Sequence, residues 1–188
     1  MMNPHSEPLS ESEMEKFRSI PDVQVVIDVG ARTSLDYLAV HPDAEYHLFE
    51  PHKPFYRFLQ DETRDKPNVH VNPYALGETD KVMGYDHTLQ ALDGGDYNIG
   101  VGPWPQHYQI KTLDWYIEEN NIQRIDFLKI DTEGYDLKVL QGGKKAVSFA
   151  RYIQFEHVMN QKDFFDLLEG DFTLEDIGGR NYFCTRKV

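Results

Sequence analysis

Apolar runs typical of buried strands alternate with helical patterns along most of the chain. The first run, residues 23–29, is rich in valine and isoleucine, as a central strand covered on both faces should be. Further runs at residues 45–50, 125–130 and 152–156 are separated by segments with apolar residues at helical spacing. The alternation predicts an α/β fold, in which helices cover a mostly parallel sheet.

Breaker and capping residues place the helices between these strands. A helix over residues 34–40 ends before Pro42, and the next helix begins at Pro54. Thr112 is the predicted cap of a helix that ends near Glu119. Gly142 and Gly143 are predicted to end a helix over residues 135–141 in left-handed conformations, and Asn160 is the expected cap of the next one.

The remaining segments complete a seven-stranded sheet. Residues 69–72 are a predicted strand that continues through residues 74–77, and residues 78–110 predict irregular strands and loops. Residues 172–177 and 181–186 flank two glycines and predict a closing antiparallel hairpin.

The length of 188 residues suits one α/β domain. Met14, Phe17 and Ile20 lie at helical spacing near the N-terminus. We therefore expect a tail with a short helix over residues 1–20 and a single domain over residues 21–188.

The balance of charge excludes one class of substrate. Nineteen Lys and Arg against 32 Asp and Glu give a net charge of −13, which repels polyanions, so we expect no nucleic-acid substrate. The N-terminus has no signal sequence, and no run approaches the roughly 20 apolar residues of a membrane span, which predicts a soluble cytoplasmic protein without a membrane partner. The single cysteine, Cys184, is expected to be a small core residue.

Two acidic positions lie where a parallel sheet binds its ligand. Asp28-Val29-Gly30-Ala31 forms the turn after the first strand, and Glu50 ends the second strand 22 residues after Asp28. A carboxylate at about that offset accepts the hydroxyl protons of a ribose, so the pair suits adenosine or a dinucleotide. A structural turn and a solvent-facing Glu50 are the alternatives.

The strand over residues 125–130 delivers more carboxylates to the same edge. Asp131 and Glu133 share a side if strand geometry persists, and both would then face a substrate hydroxyl or a sulfonium. Lys129 is expected to have a carboxylate partner, because an unpaired buried ammonium is unstable.

A histidine and another carboxylate follow the fifth strand. His157 is a candidate base, although a structural role is the alternative. With Asp131, Glu133 and Glu156 it offers donors for a divalent ion, but the spacing is not diagnostic, and we predict no metal site.

These motifs together resemble the FkbM-type methyltransferases. The resemblance rests on residues 26–31, Phe49-Glu50-Pro51, Ala75-Leu76-Gly77, and the most specific block, residues 129–134 with 139–143. It covers roughly residues 25–156 and implies a Rossmann-like class I methyltransferase fold, a mostly parallel seven-stranded sheet with a C-terminal antiparallel hairpin. It also implies S-adenosylmethionine as the cofactor and O-methylation of a small molecule or a carbohydrate.

The resemblance also implies roles for individual residues. It assigns Glu50 to the ribose, Asp131 to the methionine end, and Glu133 to orienting or deprotonating the acceptor. With Asp131 and the candidate base His157, Glu133 makes up the predicted catalytic residues. The implied cofactor-binding residues are Asp28, Gly30, Ala31, Arg32, Thr33, Glu50, Pro51, Tyr74, Ala75, Leu76 and Asp131.

The first loop departs from the family pattern. The family continues it with Asn, a variable residue and Gly, where this chain has Arg32-Thr33-Ser34. Ser34 adds a side chain at the glycine position, which makes a noncatalytic binding domain the alternative, unless Arg32 pairs with the cofactor carboxylate. A nicotinamide-dependent oxidoreductase is disfavoured by the missing G-x-G-x-x-G and by the terminal hairpin.

The acceptor side is predicted less sharply. Tyr97, Trp104, His107 and Tyr108 are candidates for an aromatic wall or lid, with a packed loop as the alternative. The short N-terminus suggests either an open pocket or one completed by a second subunit in a homodimer.

Overall fold

The computed structural model describes residues 9–85, 99–100, 106–157 and 161–188. In these ranges the strands are β1 (Val25–Val29), β2 (Glu45–Phe49), β3 (Val69–Asn72), β4 (Ala75–Leu76), β5 (Lys81–Tyr85), β6 (Ile99–Gly100), β7 (Gln106–Lys111), β8 (Ile125–Ile130), β9 (Ala150–Glu156), β10 (Phe172–Gly178) and β11 (Asn181–Arg186). The helices are α1 (Glu11–Arg18), α2 (Asp36–Val40), α3 (Lys53–Glu62), α4 (Leu113–Glu119), α5 (Asp136–Gln141), α6 (Lys144–Phe149) and α7 (Gln161–Leu168).

The main sheet has seven strands in the order β10-β11-β9-β8-β1-β2-β3. Strands β3, β2, β1, β8 and β9 are parallel, and β11 is antiparallel to both β9 and β10. This is the predicted Rossmann-like methyltransferase architecture with its C-terminal hairpin, and the fold class is confirmed. The order reverses beside β1, so a crevice opens at the carboxyl ends of β1 and β8.

A second, four-stranded sheet has the order β4-β7-β5-β6. The predicted continuation of the third strand through residues 74–77 is wrong, because β3 ends at Asn72 and Ala75–Leu76 pairs with β7 instead. Pro73 lies between them and has no N–H to donate to a ladder, which favours the change of sheet. Part of the segment predicted as irregular, residues 78–110, therefore contains regular strands.

Helix α1 packs on the sheet through the predicted apolar residues. Met14, Phe17 and Ile20 are buried, and the Phe17 ring lies 4.9 Å from that of Phe127. Ser10 and Glu13 form a reciprocal capping box, which fixes where the helix begins. The N-terminal helix is thus part of the hydrophobic core.

Strand β1 is shorter at its start than predicted, beginning at Val25 rather than at residue 23. The buried carboxylate of Asp126 accepts the backbone N–H groups of Gln24 (2.8 Å) and Val25 (3.0 Å). Arg124 and Arg151 also donate to Asp126. The Asp126 side chain thus takes up two backbone N–H groups at the start of β1, while the carbonyl of Gln24 accepts the N–H of Glu45 at 2.7 Å.

The junction between α5 and α6 differs from the prediction. Gly142 (φ −87°) and Gly143 (φ −126°) are not left-handed, and α6, which the sequence analysis did not predict, follows at once. Gly142 serves close approach instead, since a Cβ there would lie 1.9 Å from the carbonyl oxygen of Gly77. Two of the family-like motifs therefore touch through their glycines.

The other helix boundaries follow the prediction closely. The hydroxyl of Thr112 accepts the N–H of Trp115 and caps α4 as predicted. Asn160 lies outside the described residues.

Cys184 is fully buried, as expected of a core residue. No helix within the described ranges has both the length and the apolar composition that a membrane span needs.

Candidate functional site

A cleft lies at the carboxyl ends of the parallel strands. It is open on one side and has mostly apolar walls, with a few charged groups at defined places. Its lining residues are Val29, Gly30, Arg32, Phe49, Glu50, Pro51, His52, Phe55, Ala75, Leu76, Tyr108, Asp131, Thr132, Glu133 and Tyr135.

Glu50, at the end of β2, is the most firmly held charged group of the cleft. One carboxylate oxygen accepts the backbone N–H of Arg32 at 2.9 Å, and the other accepts that of His52 at 2.7 Å. The residue is only 4% exposed, and this burial raises the pKa of Glu50 to about 7. The two backbone hydrogen bonds lower the pKa, but their effect is smaller than that of burial. Each oxygen keeps a second lone pair for a ligand hydroxyl.

The turn after β1 is shaped by Gly30. Its backbone is left-handed (φ +86°), and a Cβ would lie 1.9 Å from the carbonyl oxygen of Asp131. The N–H groups of Gly30 and Ala31 both donate to the carbonyl of Phe49, at 3.0 and 3.1 Å. The ends of β1, β2 and β8 therefore meet at Gly30. The missing side chain makes room for the backbone of Asp131.

A lysine and two carboxylates lie together beside this turn, with Lys129 and Asp28 buried and Asp131 partly exposed. Lys129 Nζ lies 3.2 Å from Asp131 Oδ2 and 3.7 Å from Asp28 Oδ1. Burial alone would lower the pKa of Lys129, but the two carboxylates outweigh it and raise that pKa well above its ordinary value. The predicted carboxylate partner of Lys129 is confirmed, and Asp28 faces this lysine rather than the cleft lining.

The rest of the first loop divides between the cleft and the interior. Arg32 lines the cleft with a left-handed backbone (φ +48°), and its guanidinium carbon lies 5.8 Å from the centre of the Phe55 ring. Ala31 and Thr33 are buried outside the cleft lining, and Ser34 lines a separate small pocket beside α2. The serine at the family's glycine position therefore lies outside the lining of the main cleft.

The loop after β8 presents Asp131, Thr132 and Glu133 to the cleft. The premise of strand geometry is wrong here, because β8 ends at Ile130 and Glu133 is left-handed (φ +54°). Asp131 and Glu133 nevertheless line the same cleft. Backbone strain of this kind is concentrated at functional sites.

Asp136 fixes this loop from within. Its carboxylate accepts the N–H (3.1 Å) and the hydroxyl (2.6 Å) of Thr132 and, through the other oxygen, the N–H of Glu156 (3.1 Å). Burial raises the pKa of Asp136 to about 7. The side chain ties the end of β9 to the loop that carries Glu133, a function that nothing in the sequence spacing indicated.

Strand β4 supplies the apolar wall opposite the Gly30 turn. Ala75 and Leu76 line the cleft, whereas the Tyr74 ring lies 5.7 Å from Phe49 and 6.0 Å from Trp115, behind the wall. Tyr108 also lines the cleft. Tyr97, Trp104 and the side chain of His107 lie outside the described part of the structure.

Glu156 and His157 lie outside the cleft lining. Glu156 pairs with Arg180 at 2.6 Å, and the His157 ring lies 5.3 Å from that of Tyr182. Asp131, Glu133, Glu156 and His157 do not gather their ligand atoms as a metal site would. Among the described residues, the group that does so is a different one, Glu45, His47 and His70.

Six lining residues were not predicted as site residues. They are Val29, Phe49, His52, Phe55, Thr132 and Tyr135. Four of them lie next to a predicted one in sequence, so their position at a strand end was the signal available, and Tyr135 lies two residues beyond Glu133. Phe55 lies farther along, on the predicted apolar side of α3.

Comparisons with known proteins agree with this architecture. The family model described as Methyltransferase FkbM domain matches residues 28–178. No curated protein matches the chain in sequence.

Several solved structures share the fold at low identity. An rRNA methylase from Streptococcus thermophilus has a TM-score of 0.55 and 12% identity, with 97% of this chain and 100% of that chain covered. A SAM-dependent methyltransferase from Aquifex aeolicus has a TM-score of 0.50 and 12% identity, with 94% and 88% covered. M. capricolum TrmK, in complex with S-adenosyl-homocysteine, has a TM-score of 0.50 and 11% identity, with 95% and 68% covered.

Proposed function

The chain belongs to the FkbM methyltransferase family, and from this premise we propose that it transfers a methyl group from S-adenosylmethionine to a hydroxyl of a small molecule or a carbohydrate. The observation that carries the proposal is the buried carboxylate of Glu50. Both of its oxygens are oriented by backbone N–H groups, which leaves lone pairs for the two ribose hydroxyls. M. capricolum TrmK, which has a similar fold, was solved with S-adenosyl-homocysteine, the product of such a cofactor.

The residues around Glu50 suit the other parts of this cofactor. Ala75 and Leu76 form an apolar wall for the adenine ring. The turn at Gly30 and the side chain of Arg32 line the same cleft as Asp131, which is assigned to the methionine end of the cofactor. The guanidinium of Arg32 suits the carboxylate of that methionine portion. Pro51 also lines the cleft, while Asp28, Ala31, Thr33 and Tyr74 lie outside its lining.

The acceptor side of the proposal rests on Glu133. When bound, S-adenosylmethionine would supply a methyl group activated by its sulfonium, for transfer to the acceptor oxygen with S-adenosylhomocysteine as the leaving group. A hydroxyl acceptor must lose its proton, and the Glu133 carboxylate in the cleft wall is the group assigned to take it. Asp131, whose carboxylate lies 3.2 Å from the ammonium of Lys129, orients the acceptor. His157 lies outside the cleft lining, and we assign it no part in the transfer.

A net charge of −13 repels a polyanion at long range, which argues against a nucleic-acid acceptor. The small molecule or carbohydrate is the acceptor class that the resemblance to the FkbM-type methyltransferases implies. A homodimer that completes the open side of the cleft belongs to the same proposal, and analytical ultracentrifugation tests it.

Calorimetric titration with S-adenosylhomocysteine tests the cofactor site. Glu50→Ala should weaken binding roughly 10–100-fold, since hydrogen bonds to a charged group contribute about 1.5–3 kcal/mol. Glu62→Ala, which removes an exposed glutamate at the end of α3, is the matched control and should bind like the wild type. Unchanged affinity in Glu50→Ala would refute the ribose role.

Acceptor pairs that differ only in a hydroxyl or an amine test the transfer itself. Mass spectrometry should find the added methyl group on the hydroxyl compound. Glu133→Gln should lower kcat about 10²–10⁴-fold and leave the affinity for S-adenosylhomocysteine unchanged. Methylation confined to the amines would overturn the O-methyl assignment while leaving the methyltransferase assignment intact.

A further inference from the structure

A second group of polar side chains lies on β2 and β3. These residues precede the carboxyl ends of the strands, where the cleft lies. Glu45 and His47 are two residues apart on β2, so they project from the same face. His70 of β3 is the register partner of His47 and projects beside it. Since Glu45 begins the strand that Glu50 follows, this group is separate from the proposed cofactor site.

The ligand atoms of the three side chains lie close together. Glu45 Oε1 lies 3.4 Å from His47 Nε2 and 3.3 Å from His70 Nε2, and the three ligand atoms all lie within 4.8 Å of one another. Ligands about 2.0–2.1 Å from a tetrahedral zinc ion are about 3.3 Å apart. The two distances to Glu45 therefore already match the edges of a zinc tetrahedron.

The ring of His47 is held through one of its nitrogens. Its Nδ1 lies 2.8 Å from the hydroxyl of Tyr116, while Nε2 is buried and has no hydrogen-bond partner. A ring that donates through Nδ1 leaves the lone pair of Nε2 for a metal ion. The contact with Tyr116 is therefore compatible with metal binding through Nε2.

The support behind His47 is itself fixed. The Tyr116 hydroxyl also accepts the side-chain amide of Asn72 at 3.1 Å, which joins α4 to β2 and β3. Metal-bound histidines almost always use their second ring nitrogen in a hydrogen bond of this kind, which fixes the ring orientation.

We propose that Glu45, His47 and His70 form a binding site for one divalent transition-metal ion, zinc, with solvent as the fourth ligand. Two imidazoles and one carboxylate suit zinc rather than magnesium or calcium, which prefer oxygen ligands. Glu45 and His70 are about half exposed, so the ion enters from solvent and an open position remains. The ion joins edge strand β3 to β2 and stabilises the native state by mass action.

Titration of the tag-free full chain with zinc chloride in a calorimeter tests this proposal. We expect one zinc ion per chain, no binding of magnesium chloride at the same concentrations, and a zinc-dependent rise in Tm. His70→Ala and Glu45→Gln should each weaken zinc binding about tenfold or more and abolish the rise in Tm. Glu62→Gln, an exposed carboxylate outside the group, is the matched control and should bind like the wild type.

Folding of the variants is checked separately. Both substituted residues are half exposed, so their Tm in the presence of EDTA should equal that of the wild type. Zinc that binds wild type and variants equally would place the ion elsewhere on the surface and overturn the site. Absence of zinc binding to the wild type would overturn it as well. S-adenosylhomocysteine titrations of the same variants keep this outcome distinct from that of the cofactor site.

Discussion

Arg32 adopts a backbone conformation that its side chain disfavours. Its φ is +48°, in the left-handed region that asparagine tolerates and β-branched residues avoid. This explains physically why the family pattern has asparagine there. We expect Arg32→Asn to be more stable than Arg32→Val by about 1–2 kcal/mol, since both remove the guanidinium and only valine strains the backbone. Urea unfolding measures the difference, and equal midpoints would mean that the turn relaxes freely.

Glu50 makes the proposed cofactor site sensitive to pH. Ribose hydroxyls donate to the ionised carboxylate, and burial raises the pKa of Glu50 to about 7 in the ligand-free protein. The ionised fraction falls about tenfold between pH 8 and pH 6. The affinity for S-adenosylhomocysteine should fall by a similar factor in calorimetric titrations. Glu50→Gln should bind weakly at both pH values, and a parallel fall in that variant would assign the effect to another group.

At the scale of single residues, the sequence predicted which side chains lie at the ends of the parallel strands. Glu50, Gly30 and the carboxylate partner of Lys129 followed from offsets and from the instability of a buried charge. The backbone of Arg32 did not, because its left-handed conformation is imposed by the closed turn rather than by its own preference. His70 could not be linked to His47 either, since their meeting depends on the register of two strands.

Among the elements, the junction of α5 and α6 allows the sharpest test. A Cβ on Gly142 would lie 1.9 Å from the backbone oxygen of Gly77, at the end of β4. Gly142→Ala should therefore lower the free energy of unfolding by about 1–3 kcal/mol, because the two backbones must separate. Gly170→Ala is the control, since a Cβ there meets nothing within 4 Å, and its change should stay within about 0.5 kcal/mol. Equal urea midpoints for the two variants would contradict the packing role.

Elements with a strong apolar period were predictable, and those defined by tertiary pairing were not. Strand β8 has the predicted bounds because all six of its residues are buried. Strand β4 has two residues and exists through its pairing with β7, so no local period announces it. Helix α6 was not predicted, because Gly142 and Gly143 were interpreted as a left-handed end of α5. In the structure, Gly142 allows close packing against Gly77 and α6 follows at once.

At the scale of the whole molecule, two buried carboxyl groups make stability depend on pH. Burial raises the pKa of Glu50 from 4.5 and that of Asp136 from 3.8, both to about 7. A raised pKa stabilises the fold when the group is protonated, so this contribution is full below about pH 4 and is lost as the pH rises through 7. Burial that lowers the pKa of His47 from 6.5 to about 4 acts in the opposite direction and offsets part of the loss.

We therefore expect the free energy of unfolding to fall by about 2 kcal/mol between pH 6 and pH 8. Urea unfolding of the ligand-free protein at both pH values, with metal removed by EDTA, measures this change. Repulsion within a chain of net charge −13 acts in the same direction, but added salt screens exposed charges far more than buried ones. The part that persists in 0.5 M salt, a concentration with a Debye length of roughly 4 Å, belongs to the buried carboxyls. Glu50→Gln should remove roughly two thirds of it, because Glu50 accounts for about 1.4 kcal/mol and the opposing effect of His47 remains, whereas the full fall in that variant would show that Glu50 is ionised at both pH values.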